Sequence, residues 1–253
     1  MKIVVGINSL TSTVHPAYSN HIQVFFRLGK WAERNGHEIC LVNPSRMAID
    51  RMRNLCAKTA LEINADYLLF IDDDVLAPTE FIDSLISADG DIVAGDVLIR
   101  GYPFNHMSFI GDKHGLAPIA NLDDFMTESG IIDVGAVGFS LCLIKTSVLK
   151  HTAQPWFITG ISNTEDIYFC LKAKEFIPEL TIKLDTRVQC GHILWNEIIS
   201  KENKEQYKVY MESMDEALRP KLKIHEKPVT QDRGDDYLER ISDLFEEGHT
   251  DEA

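Results

Sequence analysis

Short apolar blocks alternate along this chain with stretches in which apolar residues recur every three or four positions. The blocks read as strands buried on both faces, the stretches as amphipathic helices. Ile3 to Ile7 is the first block, ended by Asn8-Ser9 and a polar loop with Pro16. From about Asn20 to Arg34, the residues Ile22, Phe25, Phe26, Leu28 and Trp31 recur at helical spacing, and Asn35-Gly36 supplies the stop. His37 to Val42 is a second strand, ended by Asn43-Pro44. Ser45 is placed to cap the next helix. The apolar stripe of that helix is Ile49, Met52, Cys56, Ala60 and Ile63, with Arg46, Arg51 and Arg53 elsewhere on its surface. Tyr67 to Ile71 is the third strand, Pro78-Thr79-Glu80 opens a short helix with Phe81, Ile82, Leu85 and Ile86, and Asp91 to Gly95 is the fourth strand. This alternation predicts a parallel sheet with right-handed crossovers.

Beyond Arg100 the pattern loosens. The stretch to Gly130 reads as irregular and polar. Ile131 to Val134 and Phe139 to Ile144 read as strands flanking a turn that contains Gly135 and Gly138. Thr164-Glu165-Asp166 opens a helix with Ile167, Phe169, Cys170, Leu171 and Ala173. Leu180 to Leu184 and Val188 read as short strands ending at Cys190-Gly191-His192. From about Asn196 the chain is strongly charged. Tyr207, Tyr210, Met211, Met214 and Leu218 suggest one helix, and Asp235 to Glu247 a last amphipathic one. Its acidic outer face argues against a membrane anchor. The expected divisions are a half over 1–100, a half over 101–198 and a charged helical extension over 199–253.

Composition narrows the function classes. A chain of 253 residues, 45% hydrophobic, can bury a sizeable core. A formal net charge of −14 disfavours sequence-independent nucleic-acid binding and attraction to anionic lipid. The five cysteines, Cys40, Cys56, Cys142, Cys170 and Cys190, are scattered without a C-x-x-C pair. That indicates neither a zinc knuckle nor a disulfide framework, and points to a reduced, cytoplasmic compartment. No apolar run approaches the roughly 18–20 residues of a membrane span.

The third strand carries the chemistry. Its five apolar residues, Tyr67 to Ile71, run into Asp72, Asp73 and Asp74. Adjacent carboxylates repel one another unless a cation neutralises them. The C-terminal edge of an open α/β sheet is also where ligands bind. Hard oxygen ligands there suit Mg²⁺ or Mn²⁺ shared with a ligand's phosphates. On an extended segment, Asp72 and Asp74 point the same way and both reach one ion. The plain alternative is a solvated acidic turn. Phosphatases that form an aspartyl-phosphate also place D-x-D after a buried strand. They follow it with Gly-Thr or Gly-Val, where this chain has Val75-Leu76-Ala77-Pro78.

Other candidates each carry two readings. Glu165 and Asp166 offset a helix dipole, or aim a general base at a substrate hydroxyl. His192 is a structural histidine, or its neutral imidazole completes a two-carboxylate metal site. Arg53 is a solvated helix residue, or an Arg fork on a diphosphate. Trp156 and Phe157 are core aromatics, or an apolar platform for a sugar face.

Together these pieces resemble the family-2 glycosyltransferases and related nucleotide-sugar transferases of the GT-A fold. The resemblance rests on Phe70-Ile71-Asp72-Asp73-Asp74-Val75, the segment Asp133 to Lys145, Pro155-Trp156-Phe157, the helix Glu165 to Ala173, and Gly191-His192, in that order. It covers about residues 1 to 195. It implies an α/β, GT-A-type single domain: a Rossmann-like, mostly parallel sheet, an acceptor-side mixed sheet, and C-terminal helices. It further implies that Asp72 and Asp74 hold Mn²⁺ or Mg²⁺ on the diphosphate of a donor, with His192 as a further ligand. Asp72 or Asp73 would touch the ribose, and Asn8 and Asn43 would face the nucleotide. The family often has Asp where Asn43 stands. Arg53 would contact the donor, and Asp166, beside Glu165, would be the acceptor base of an inverting transfer. Gly135, Trp156 and Phe157 fall on the acceptor side.

The activity so implied is metal-dependent glycosyl transfer from a nucleoside-diphosphate sugar, of the UDP class, to an acceptor hydroxyl. The acceptor would be a glycan, a protein, a small molecule or modified DNA. No membrane span is expected, and the C-terminal helices offer a route to homo-oligomers. Two alternatives stay open. A nucleotidyltransferase would carry a Gly-rich basic loop after the first strand, where Gly6-Ile7-Asn8-Ser9-Leu10-Thr11 offers one glycine and no base. A non-catalytic nucleotide-sugar-binding module would not need Asp72, Asp74, Asp166 and His192 together.

Overall fold

The computed structural model describes residues 1–8, 18–44, 47–160, 163–194, 197–205 and 208. The expected helices around Tyr210 and over 235–247, and any oligomer contact through them, lie outside the described residues, as do Ser45 and Arg46. Met1–Asp215 forms one compact unit.

The first half follows its alternation: β1 (Lys2–Asn8), α1 (Tyr18–Asn35), β2 (Glu38–Val42), α2 (Ile49–Glu62) and β3 (Tyr67–Asp72). A two-residue strand β4 (Val75–Leu76), helix α3 (Phe81–Ser87) and β5 (Ile92–Asp96) come next. A hairpin of β6 (Ser108–Asp112) and β7 (Gly115–Pro118) is followed by β8 (Ile131–Asp133), β9 (Ala136–Val137) and β10 (Leu141–Lys145). Then come α4 (Thr146–His151), α5 (Glu165–Phe176), β11 (Ile182–Gln189), β12 (Gly191–Leu194) and β13 (Glu197–Ile199).

The central sheet has seven strands in the order β2-β1-β3-β10-β5-β11-β8. The pairs β1–β2, β1–β3 and β5–β11 are parallel, while β10 runs antiparallel to both β3 and β5. The fold is thus mixed α/β with a mostly parallel central sheet. Each central strand alternates its residues between two cores. Val4, Leu68, Phe70 and Cys142 face the side covered by α2, α4 and α5, whereas Ile3, Val5, Leu69, Ile71 and Leu143 face the side of α1 and α3. This double burial is why the strands read as continuous apolar runs rather than alternating ones. Among the described residues, no helix is long and apolar enough to cross a membrane.

In the sheet, β10 is inserted between β3 and β5. Five sequence expectations change. The segments on either side of Gly135 and Gly138 are not partners: β8 pairs with β11 at the sheet's edge, β10 lies at its centre, and β9 joins β6. The supposedly irregular stretch before Gly130 holds the β6–β7 hairpin. On α1 the buried face is His21, Val24, Leu28 and Ala32, and Ile22 and Phe26 are exposed. Finally, Ala48, not Ser45, stands at the N-cap of α2, and Arg53 on that helix is 2% exposed instead of lying on its surface.

Candidate active site

The parallel strands end along one edge, and most of the candidate residues gather there. The last residue of β3, Asp72, is in register with Asn8, the last of β1. Because β10 is antiparallel, its beginning lies at the same edge: the Asp72 backbone N–H donates to the Ser140 carbonyl at 2.9 Å. The first turn of α5 brings Glu165 and Asp166 to this place.

Arg53 is the hub. Its Nε donates to Glu165 Oε1 at 2.9 Å, its Nη1 to the Phe139 carbonyl at 3.2 Å, and its Nη2 to Asp72 Oδ1 and Oδ2 at 3.2 and 3.3 Å. The guanidinium lies 4.8 Å from the centre of the Phe70 ring and 5.7 Å from that of Phe139. Burial favours its neutral form, but the carboxylates of Asp72, Glu165 and Asp166 more than offset this and push its pKa up. Glu165 is likewise buried. Its pKa is raised by that burial, against the pull of Arg53. Arg53 thus faces partners within the protein, and its fork is engaged by two carboxylates and the Phe139 carbonyl.

Asp72 also accepts from the Ser140 hydroxyl at 3.0 Å. Burial raises its pKa, Arg53 opposes this, and Asp74 and Asp166 add to the rise. Asp73 and Asp74 form a turn between β3 and β4, so the extended geometry that would aim Asp72 and Asp74 alike stops at Asp72. Asp74 turns instead to Arg100 Nη1, 2.7 Å from its Oδ2, and to His192 Nε2, 3.5 Å from the same oxygen. Although partial burial works the other way, contacts with His192 and Arg100 hold the Asp74 pKa below the usual carboxylate range.

His192 reaches Asp74 because β12 pairs antiparallel with β4, with His192 opposite Val75. His192 Nδ1 lies 2.7 Å from the Leu98 carbonyl. A carbonyl only accepts, so Nδ1 carries the hydrogen and Nε2 is the atom presented to Asp74. An imidazole nitrogen and a carboxylate are both groups that a divalent ion accepts as ligands, and a backbone carbonyl is a usual outer partner of such an imidazole. Asp74 and His192 therefore fit a metal ion as a pair. Asp72, engaged by Arg53 and Ser140, does not join them. Among the described residues, no three His, Cys, Asp or Glu side chains are placed around one ion. A two-ligand site suits an ion that takes its other ligands from phosphates and water.

Asp166 is 6% exposed. Its Oδ1 accepts from the Ile167 N–H at 2.8 Å and, over a short contact, from the Thr164 hydroxyl; its Oδ2 accepts from the Phe139 N–H at 3.3 Å. Thr164 stands at the N-cap of α5 but gives its hydroxyl to Asp166 rather than capping a backbone amide.

Packing accounts for three candidates. Trp156 is 3% and Phe157 1% exposed. Trp156 Nε1 donates to the Leu149 carbonyl at 2.9 Å, and Phe157 packs among Phe70, Phe139 and Phe169. Both are core, with no ring face open to a sugar. Gly135 is also explained by packing, since a Cβ there would lie 2.1 Å from the Gly111 carbonyl oxygen. Asn43 is exposed just past β2, and Asp73 is half-buried in its turn. Sequence reasoning missed Arg100 and Ser140. Ser140 immediately precedes β10, and only knowledge of the β3–β10 pairing identifies it.

No protein-family profile and no curated protein sequence matches this chain. Solved structures do. A197 from STIV matches with a TM-score of 0.51 at 18% identity, over 80% of this chain and 91% of that one. GalNAc-T7, crystallised with UDP, GalNAc and Mn²⁺, matches with a TM-score of 0.47 at 12% identity, over 77% of this chain and 44% of its own. Residues 1–349 of S. aureus TarS match with a TM-score of 0.38 at 13% identity, over 74% and 60% of the respective chains. At these identities the likeness to A197 is one of fold.

Proposed function

We propose that this protein is a glycosyltransferase that moves a sugar from a nucleoside-diphosphate sugar, of the UDP class, to an acceptor hydroxyl, using Mn²⁺ or Mg²⁺. The observation that carries this reading is the Asp74–His192 pair, with Nε2 and Oδ2 3.5 Å apart, at the same strand-end edge as Asp72 and Asp166. Asp74 and His192 would hold the ion, which would neutralise the charge that builds on a departing diphosphate. The residues of the chain supply the rest. Arg100, half-exposed beside Asp74, adds a cation for the phosphates. Asp72, oriented by Arg53 and Ser140, is an acceptor for a ribose hydroxyl.

Asp166 is the base for the acceptor. An ionised carboxylate has about four lone-pair sites, and three are filled by Thr164, Ile167 and Phe139. These donors fix the carboxylate and leave one site for the proton of an attacking hydroxyl. A base opposite the leaving diphosphate gives a single displacement with inversion.

Asp166→Asn keeps the shape and removes the basic group. UDP release from a panel of UDP-sugars in Mn²⁺ should fall by about 10²–10⁴, with donor affinity by calorimetry unchanged. Wild-type turnover in this variant would reject the catalytic role.

A further inference from the structure

A second group of buried polar residues lies beside this site and has no part in the scheme above. Asp96 ends β5 and is 4% exposed. Its Oδ1 lies 2.5 Å from His106 Nδ1, and His106 is 1% exposed. On the far side of the ring, Lys204 Nζ lies 3.5 Å from His106 Nε2. An ammonium group only donates. The chain of contacts therefore runs one way: Lys204 donates to Nε2, and Nδ1–H donates to Asp96. The imidazole, through Nδ1–H, thus orients the Asp96 carboxylate.

Among the described residues, nothing donates to the other oxygen of Asp96. A buried carboxylate with an unsatisfied oxygen is costly. This one borders a cavity of about 250 Å³, lined also by Leu98, Gln189, Gly191, Ser200 and Lys201. Leu98 supplies the carbonyl that fixes His192, and Gly191 precedes His192, so the cavity adjoins the Asp74–His192 pair. It falls below the roughly 300–1,000 Å³ of pockets for drug-sized ligands, a size for one sugar ring and not for a nucleotide.

We infer that this cavity is a sugar subsite, in which Asp96, held by His106 and Lys204, accepts hydrogen bonds from ring hydroxyls. Hydroxyl donors satisfy the free carboxylate oxygen without adding charge. Gln189, Ser200 and Lys201 give both donors and acceptors at the rim. The inference deepens the glycosyl-transfer reading and rests on it for the identity of the neighbouring group. The sugar is that of the donor or that of the acceptor.

The test uses the full chain in Mn²⁺ and two variants. Asp96→Asn removes the carboxylate charge. Gln189→Trp, at an exposed position, obstructs the mouth and leaves the Asp96–His106 pair intact. In one arm, UDP and UDP-glucose, UDP-galactose and UDP-N-acetylglucosamine are titrated by calorimetry. In the other, the free monosaccharides are followed by saturation-transfer NMR. Both variants should lose at least tenfold in sugar-dependent affinity, with UDP affinity unchanged. Loss confined to the first arm assigns the donor's sugar, and loss in the second the acceptor's. Should Asp96→Asn fail to fold, Gln189→Trp decides. No sugar-dependent binding in the wild type, or wild-type sugar binding in a folded Asp96→Asn variant or in Gln189→Trp, overturns the subsite. Sugar binding without any UDP binding would leave the subsite standing and remove the nucleotide-sugar reading instead.

Discussion

Replacing Arg53 with Met tests the organisation of the whole edge. The substitution keeps a long side chain against Phe70 and Phe139 and removes the cation. Glu165, 5% exposed, and Asp72 then lose their shared guanidinium, and the Phe139 carbonyl loses a donor. Breaking a buried ion pair from one side costs about 3–5 kcal/mol, because the remaining charge is stranded. In a compact unit spanning Met1–Asp215, each kcal/mol shifts the melting temperature by about 2–4 °C. The expected drop is therefore about 6–20 °C by calorimetry or circular dichroism. A second substitution, Glu165→Gln, should recover part of the loss, with a coupling of about 0.5–3 kcal/mol in the double-mutant cycle.

The sign with pH follows. Without Arg53, the folded-state pKa of Glu165 rises further above its unfolded value. The folded state then binds more protons than the unfolded state as pH falls through that raised pKa, so the penalty should shrink in acid. A loss under about 0.5 kcal/mol, as for a surface substitution, would refute the hub. So would a penalty equal on both sides of the carboxylate range.

Three further predictions concern other parts of the molecule. Asp74→Ala or His192→Ala should raise the Mn²⁺ concentration needed for half-maximal UDP binding by about tenfold or more, the scale of metal-shell losses; an unshifted titration would remove the pair from the ion site. Gly135→Ala places a Cβ 2.1 Å from the Gly111 carbonyl oxygen, so urea unfolding should show a loss of about 1–3 kcal/mol, and an unchanged midpoint would count against the packing account. The fully buried Asp185 accepts from the Arg187 guanidinium at 2.8 Å and from the Ser84 hydroxyl at 2.7 Å. Burial alone would raise its pKa, but these bonds win and lower it. Its stabilisation is thus present above the unfolded carboxylate pKa and lost as pH falls through the folded value; Asp185→Asn should flatten that acid limb of the stability curve.

The strands with two buried faces were legible in sequence, since Ile3–Val5, Leu68–Ile71 and Ile92–Ala94 admit no solvent-facing alternative. Partnership was not. Nothing in Leu141–Lys145 says that it pairs antiparallel to both β3 and β5, because local pattern carries no information on neighbours. On α1 two stripes compete, Ile22–Phe26 and Val24–Leu28, and only docking decides that the second is buried. The acids were legible as candidates, as was the closeness of His192 to Asp74. The burial of Arg53 was not, for its partners Asp72 and Glu165 lie 19 and 112 residues away. Trp156 and Phe157 have the composition of a sugar platform and the environment of a core, and composition alone does not separate the two.

The insertion of β10 between β3 and β5 has a consequence for the order in which the chain can fold. Residues 1–100 can form β2-β1-β3, but the next strand of the sheet is not synthesised until residue 145. Until then β3 keeps one unpaired edge, and β5 lacks both its neighbours, β10 and β11. An apolar edge in that state is a template for pairing with other chains. The two halves therefore acquire their stability together, late and cooperatively, through contacts distant in sequence. On a ribosome the first half waits for the second, with its strand edges exposed to whatever chaperone reaches them first.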